Sequence, residues 1–164
     1  MSVEADLRKA VADAVPRLVA ISEADASRIP EPGKWSPKQV IGHLVDSASN
    51  NHHRFVRAQL TEDLVFPGYD QDRWVSLQSY ETAPWTELVG LFRFFNYHLA
   101  RVIEAIPESV REMPRVQHNL HELAFRPVPE SQPATLGYFM RDYVEHLQHH
   151  LAQVTGGNAP NPVR

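Results

Sequence analysis

Apolar residues recur along this chain at three- and four-residue steps in four long stretches, and no stretch shows the two-residue alternation of a half-buried strand. The first stretch runs from about Val3 to Arg28, with Leu7, Ala10, Val11, Ala14, Leu18 and Ile21 on one side. Pro16 lies inside it and is expected to kink or interrupt the helix, since proline has no N–H to give and crowds the preceding turn. The second begins after Lys34-Trp35: Ser36 is an N-cap, Pro37 fits the first helical position, and Gln39 completes a Ser-x-x-Gln capping box. It continues through Val40, Leu44, Val45, Phe55, Val56 and Leu60. The third runs from near Pro84 to Ile106 with Leu88, Leu91, Phe92, Phe95, Leu99, Val102, Ile103 and Ile106 as its stripe, and stops before Pro107. The fourth opens at Thr135 as N-cap and ends at Gly156-Gly157, with Leu136, Phe139, Met140, Tyr143, Val144, Leu147, Leu151 and Val154 apolar.

The connections are long. Pro67-Gly68 marks a turn, and the segment after it to about Ser79 fits a short helix. Residues 107–133 hold five prolines and read as irregular, with a helical turn near Ser109–Met113. Four amphipathic helices bury their stripes against one another, so the pattern predicts an all-α four-helix bundle with at least one connection crossing it. One domain, residues 1–157, accounts for the whole pattern, with residues 158–164 as a flexible tail.

Composition narrows the picture. The chain has 164 residues, 43% hydrophobic and 22% charged, a globular balance. A formal net charge of −4 and no Lys/Arg run give no support for a nucleic-acid partner. No apolar run approaches the ~20 residues of a membrane span. The N-terminus lacks the basic-then-apolar order of a signal peptide, so a cytoplasmic location is expected. There is no cysteine, which removes disulfides, thiolate ligands and cysteine nucleophiles together.

Nine histidines remain as candidate chemistry. His146 and His150 are four apart in the last helix, which stacks them one turn apart on one face. By themselves they fit two polar residues on a wet face as well as a metal pair. His43, two turns into the second helix among apolar neighbours, fits a core residue or a ligand. Taken together, one imidazole from one helix and an i,i+4 pair from another make a three-nitrogen set that leaves coordination positions open, as catalytic metal sites do. His52 and His53, beside Arg54 and Arg57, read as solvated or interfacial. His98 is a weaker inward candidate. His118 and His121 read as exposed loop residues, although that loop could lie over the site.

The ordered motifs resemble a known superfamily. Trp35-Ser-Pro-Lys-Gln-Val-Ile-Gly-His43-Leu-Val-Asp-Ser47 resembles the second-helix motif of DinB/YfiT-like proteins, and His146-Leu-Gln-His-His150-Leu-Ala-Gln153 their last-helix motif. Pro67-Gly-Tyr-Asp-Gln-Asp-Arg-Trp74 is similar to a loop of the DinB_2 branch. The resemblance covers nearly the whole chain. It implies up-down-down-up topology and a divalent metal (zinc, nickel, iron or manganese) held by His43, His146 and His150, with His149 outside the set. It also implies chemistry on small molecules: hydrolysis, or transfer of a low-molecular-weight thiol such as bacillithiol or mycothiol. Residues 114–133 match none of its motifs and are expected to shape the pocket mouth.

A divalent ion with open positions lowers the pKa of a bound water or thiol and polarises a carbonyl. Asp46 reads equally as a catalytic or ligand-orienting carboxylate and as a polar residue at the bundle surface, with Asn50 and Gln153 as further candidate hydrogen-bond partners of the ligands. The resemblance of the loop motif implies that Tyr69, Asp70 and Trp74 line the pocket and contact a thiol or substrate; read as residues alone they fit loop anchoring, with Trp74 packed over the bundle end. The competing expectation is a metal-binding, dimerising stress-response bundle without turnover. The exposed aromatics of the third helix and the resemblance to related bundles are compatible with a homodimer.

Overall fold

The computed structural model describes residues 2–156. Four long helices carry the fold: α1 (Val3–Val19), α3 (Pro37–Arg57), α5 (Trp85–Ala105) and α8 (Leu136–Thr155). Between them lie short helices α2 (Glu23–Ala26), α4 (Gln71–Leu77), α6 (Glu108–Arg111) and α7 (Leu120–Leu123), and a 3-10 turn at Tyr80–Thr82. Among the described residues there is no strand, only two isolated bridges, Leu64 with His118 and Arg115 with Ala134.

Side-chain pairings give the helix directions. Arg8 near the start of α1 pairs with Glu104 near the end of α5, and the Trp85 indole at the start of α5 donates to Leu18 O at the end of α1. Those two helices are antiparallel. Arg17 donates to the Thr155 carbonyl, so α1 and α8 run together. Lys38 at the start of α3 reaches Glu81 O just before α5, and His52 meets Phe95 and His98 further along, so α3 and α5 are parallel. Phe55 packs on Phe139 and His43 on His150, so α3 and α8 are antiparallel. The order is up-down-down-up. Each of α1 and α3 packs against both α5 and α8, so the chain crosses the bundle diagonally from α1 to α3 and again from α5 to α8.

The helix starts follow the local chemistry. Ser36 and Gln39 make the reciprocal capping box, with Pro37 first in the helix. Thr135 accepts from Tyr138 N, and Gly156 ends α8 in the left-handed conformation at φ 67°, which glycine adopts without a side-chain clash. The first stretch departs from expectation. Pro16 lies within the last turn of α1, and its carbonyl still accepts from Ala20 N. The break comes instead at Ser22, which caps the separate helix α2. Leu91, expected on the apolar stripe of α5, is half exposed, while Leu88, Phe92, Leu99 and Ile103 fill the core.

The proline-rich segment is ordered by specific bonds. Arg115 is buried and donates to the carbonyls of Ala58, the C-cap of α3, and of Thr61 and Asp63 in the loop that follows. His118 is buried too, contrary to its expected exposure: its Nε2 meets Gln132 O at 2.7 Å and its Nδ1 accepts from Leu120 N. His98 departs the other way and is exposed on α5. The expected C-terminal tail, residues 158–164, lies outside the described residues.

Candidate metal centre and its cavity

On α3, His43, Ser47, Asn51 and Arg54 fall at steps of four, four and three, one continuous face. On α8, Phe139, Asp142, Tyr143, His146 and His150 make the facing stripe. These two stripes wall a cavity of about 630 Å³, roofed by Gly68, Tyr69 and Gln71 on one side and by residues 122–125 on the other. A volume of this size suits a small-molecule ligand.

The three histidines meet at one end of it. His43 Nε2 and His146 Nε2 are 3.3 Å apart, and the ring centroids of His43, His146 and His150 lie 4.6–5.2 Å from one another. Each ring offers a nitrogen within 4.8 Å of the other two. Two nitrogens each about 2.1 Å from a shared ion sit roughly 3.0–3.4 Å apart, so one pair is at that spacing and the third needs a small inward shift.

Their protonation suits ligands. Burial lowers the His43 pKa to about 3, with the neighbouring His150 adding repulsion. Burial lowers His146 well below the ordinary range, reinforced by His150, His43 and His149. His150 is lowered by burial, against the raising effect of its bond to Gln153. All three are therefore neutral at pH 7, with a lone pair available. His150 Nδ1 lies 3.0 Å from Gln153 Oε1, an acceptor, so Nδ1 carries the proton and Nε2 is free to ligate. His43 has no such partner: its Nδ1 is buried without a hydrogen bond, and the ring is held by packing against Trp35 and His150. The donor set fits a divalent ion of the imidazole-preferring kind.

The other expected site residues are distributed differently. Asp46 does not receive a ring N–H. Its Oδ1 accepts from Tyr80 Oη and Gln78 Nε2, both at 2.7 Å, and its carboxyl pKa is raised by burial against those bonds. It stands on the α4 side of α3 rather than on the cavity wall, because a three-residue step from His43 turns it away by about 60°. Asn50 donates to Asp46 O. Tyr69 does line the cavity, its hydroxyl pKa pushed up to about 12 by burial, with Arg54 opposing. Trp74 packs on Tyr69 at 4.8 Å and stays outside the wall. Asp70 is the N-cap of α4, accepting from Arg73 N, and is exposed.

Sequence reasoning did not single out Asp142, Phe125 or Arg54. Asp142 accepts the backbone N–H groups of Phe125 and Arg126 at 2.8 and 2.6 Å, which ties the 122–126 segment down over α8. Burial pushes its carboxyl up to about 6 against those two bonds. Phe125 then packs on His146 and His149. An acid at the i−4 position of a presumed ligand, on the same helical face, was the available signal for Asp142.

Three neutral histidines converge on a cavity wall of a four-helix bundle, an arrangement able to hold a divalent ion. The chain belongs to the DinB superfamily, whose family model matches residues 6–154. Two relatives carry the name "Putative metal-dependent hydrolase": OB0782 of Oceanobacillus iheyensis, 28% identical over 123 residues, and YfiT of Bacillus subtilis, 24% identical over 123 residues. Each match covers 75% of this chain and 64% of the relative, so the chain spans under two thirds of their length. A solved structure of Bacillus subtilis YfiT, described as an unusual four-helix bundle topology, superposes with a TM-score of 0.75 at 20% identity. That likeness covers 94% of this chain and 82% of the other, and it shows the fold.

Proposed function

We propose that this protein is an enzyme dependent on a divalent metal held by His43, His146 and His150, acting on small molecules as a low-molecular-weight thiol S-transferase or a hydrolase. The observation that carries the reading is the convergence of three neutral imidazoles on the wall of a ligand-sized cavity. Three protein ligands leave room for a substrate atom. Bound there, a divalent ion supplies Lewis acidity, lowering the proton affinity of a thiol or water and polarising a carbonyl. Gln153 orients His150, Asp142 ties the 122–126 segment over α8, and burial pushes the Asp142 carboxyl up to about 6.

One observation favours transfer between two molecules. A second cavity of about 640 Å³, with Trp35, Lys34 and Gln153 on its wall, shares His150 and Gln71 with the first. Two chambers meeting at one ligand give each of two reactants its own approach. The thiol in one would lose its proton to water and attack, as thiolate, the carbon of an electrophile in the other, the carbon–leaving-group bond breaking with its electron pair as the carbon–sulfur bond of a thioether forms.

Metal analysis of untagged protein tests the site: about one divalent ion per chain is expected, lost in His43→Ala and His146→Ala. Metal at the wild-type level in both variants would sink the assignment. Bacillithiol, mycothiol and glutathione with a reactive halide, set against ester hydrolysis, separate the two activities. Metal-replete protein inert toward both classes would favour the metal-binding bundle without turnover. A homodimer through the outward face of α5, where Leu91 and Phe94 are exposed, belongs to the same proposal and is checked by light scattering.

A further inference from the structure

Among the described residues, Arg54 is the one Lys or Arg side chain on the wall of the histidine cavity. It is 7% exposed, and no carboxylate among the described residues lies within ion-pair distance of it. Its nearest acceptors are the Pro67 carbonyl at 3.0 Å from Nη2 and, at a long 3.5 Å from Nη1, Asn51 Oδ1. The Phe139 ring lies 5.9 Å from its guanidinium carbon. A guanidinium has five N–H donors in a fixed fork and cannot neutralise itself by losing a proton at ordinary pH. Burying one without an anion is costly. The other buried arginine among the described residues is held differently: Arg115 Nη1 donates to the carbonyls of Ala58, Thr61 and Asp63 at and just after the end of α3, while its Nε is buried without a partner. Arg54 has one short bond and faces the space in front of the metal centre.

We infer that Arg54 anchors an oxyanion, a carboxylate in the first instance, at the far end of a substrate whose reacting atom sits at His43, His146 and His150. This deepens the proposed function and rests on it for the reacting end only. The geometry sets the length. Arg54 follows His43 by eleven residues, three turns on the same face of α3 and about 16 Å along its axis, less the reach of the two side chains. The anion should therefore lie on the order of 10 Å from the metal-bound atom. The wall offers Ser47, Asn51 and Tyr69, the aromatic faces of Phe139 and Tyr143, and the carboxyls of Asp142 and Glu122, so the anion must seat at Arg54 rather than along the α8 side of the cavity. The ligand class is an elongated acid with a metal-seeking group at one end.

The probes are ω-mercaptoalkanoates from mercaptoacetate to mercaptodecanoate, each compared with the ω-mercaptoalcohol of the same length. Binding to the cobalt-substituted protein is read from the thiolate-to-cobalt absorption. The acid of matching length should bind at least about tenfold tighter than its alcohol, the usual scale of a charge-assisted hydrogen bond. Short acids should show no preference. Arg54→Gln should remove the preference and leave alcohol binding and cobalt stoichiometry unchanged, while Arg54→Lys keeps part of it. Equal binding of acid and alcohol at every length in wild type would overturn the inference. So would an Arg54→Gln variant, folded by circular dichroism, that retains the preference. If that variant does not fold, Arg54→Lys decides: an undiminished preference refutes the anchor.

Failure of cobalt to bind would instead count against the proposed metal centre. The metal-free protein then decides the Arg54 claim by itself. Its Arg54 Nε–H resonance should shift with octanoate and not with octanol, and no shift with octanoate would refute the anchor.

Discussion

Gln153→Ala separates an oriented metal ligand from a histidine that happens to be near. Gln153 Oε1 accepts from His150 Nδ1 at 3.0 Å, and its amide nitrogen meets His149 Nε2 at 3.1 Å, so one side chain sets the tautomer of one ring and braces the next. Two effects of removing it oppose each other. The bond to Gln153 raises the His150 pKa, so its loss reduces competition from protons. That gain is small at pH 7, because burial already holds the pKa below its ordinary value and the ring is neutral either way. The loss is larger: an imidazole without its outer partner samples the wrong tautomer and rotates. Such partners are worth about ten- to a hundredfold in metal affinity. Gln153 is exposed, where water replaces part of its bond, so the lower end is expected, about tenfold or about 1.4 kcal/mol. Competition for zinc against a fluorescent chelator gives the affinity and the stoichiometry together. Gln153→Glu supplies an alternative acceptor and should bind at least as tightly as wild type. Gln148→Ala, an exposed position on the same helix, is the control and should change nothing. Affinity within twofold of wild type in Gln153→Ala would refute the role given to this bond.

Three further outcomes follow from other parts of the molecule. Metal-free protein should lose stability as pH falls below about 6.5, because His43 protonates near 3 when folded and near 6.5 when unfolded. That stabilisation is fully present above 6.5 and is lost as pH falls toward 3. It is worth at most about 5 kcal/mol, and His43→Gln should reduce the slope of this limb of a Tm-versus-pH curve, the remainder coming from His146 and His150, which burial also lowers; an unchanged slope removes the argument. Gly42→Ala should destabilise by about 2 kcal/mol in denaturant titration although alanine favours helix, because the new Cβ would fall 2.2–2.7 Å from three Tyr80 ring carbons. A neutral or stabilising result would mean Tyr80 yields freely. Asp142→Ala leaves the Phe125 and Arg126 N–H groups without their acceptor, with about 1–3 kcal/mol lost and faster hydrogen exchange confined to residues 122–126; uniform exchange would refute the tether.

The bundle and two corners of the site were legible in the residues themselves. Ser36, Pro37 and Gln39 specify a helix start through bonds within four residues, and Thr135 and Gly156 bound α8 in the same local way. The His146–His150 spacing is likewise a property of one helix. What sequence periodicity left open was which helix faces which. The diagonal crossings place α3 against α8 in antiparallel sense, and only that pairing brings His43 to the His146–His150 pair and leaves Arg54 beside Phe139. His118, His98 and Asp46 differ from their expected places for one reason: each depends on partners distant in sequence, Gln132 across a proline-rich loop, α3 beside α5, and Tyr80 beyond α4. Local bonds act over one turn and can be read along the chain. Whether a polar side chain meets water, a ring nitrogen or a carboxylate depends on the packing of segments far apart in it, and that packing is decided only when the whole core closes.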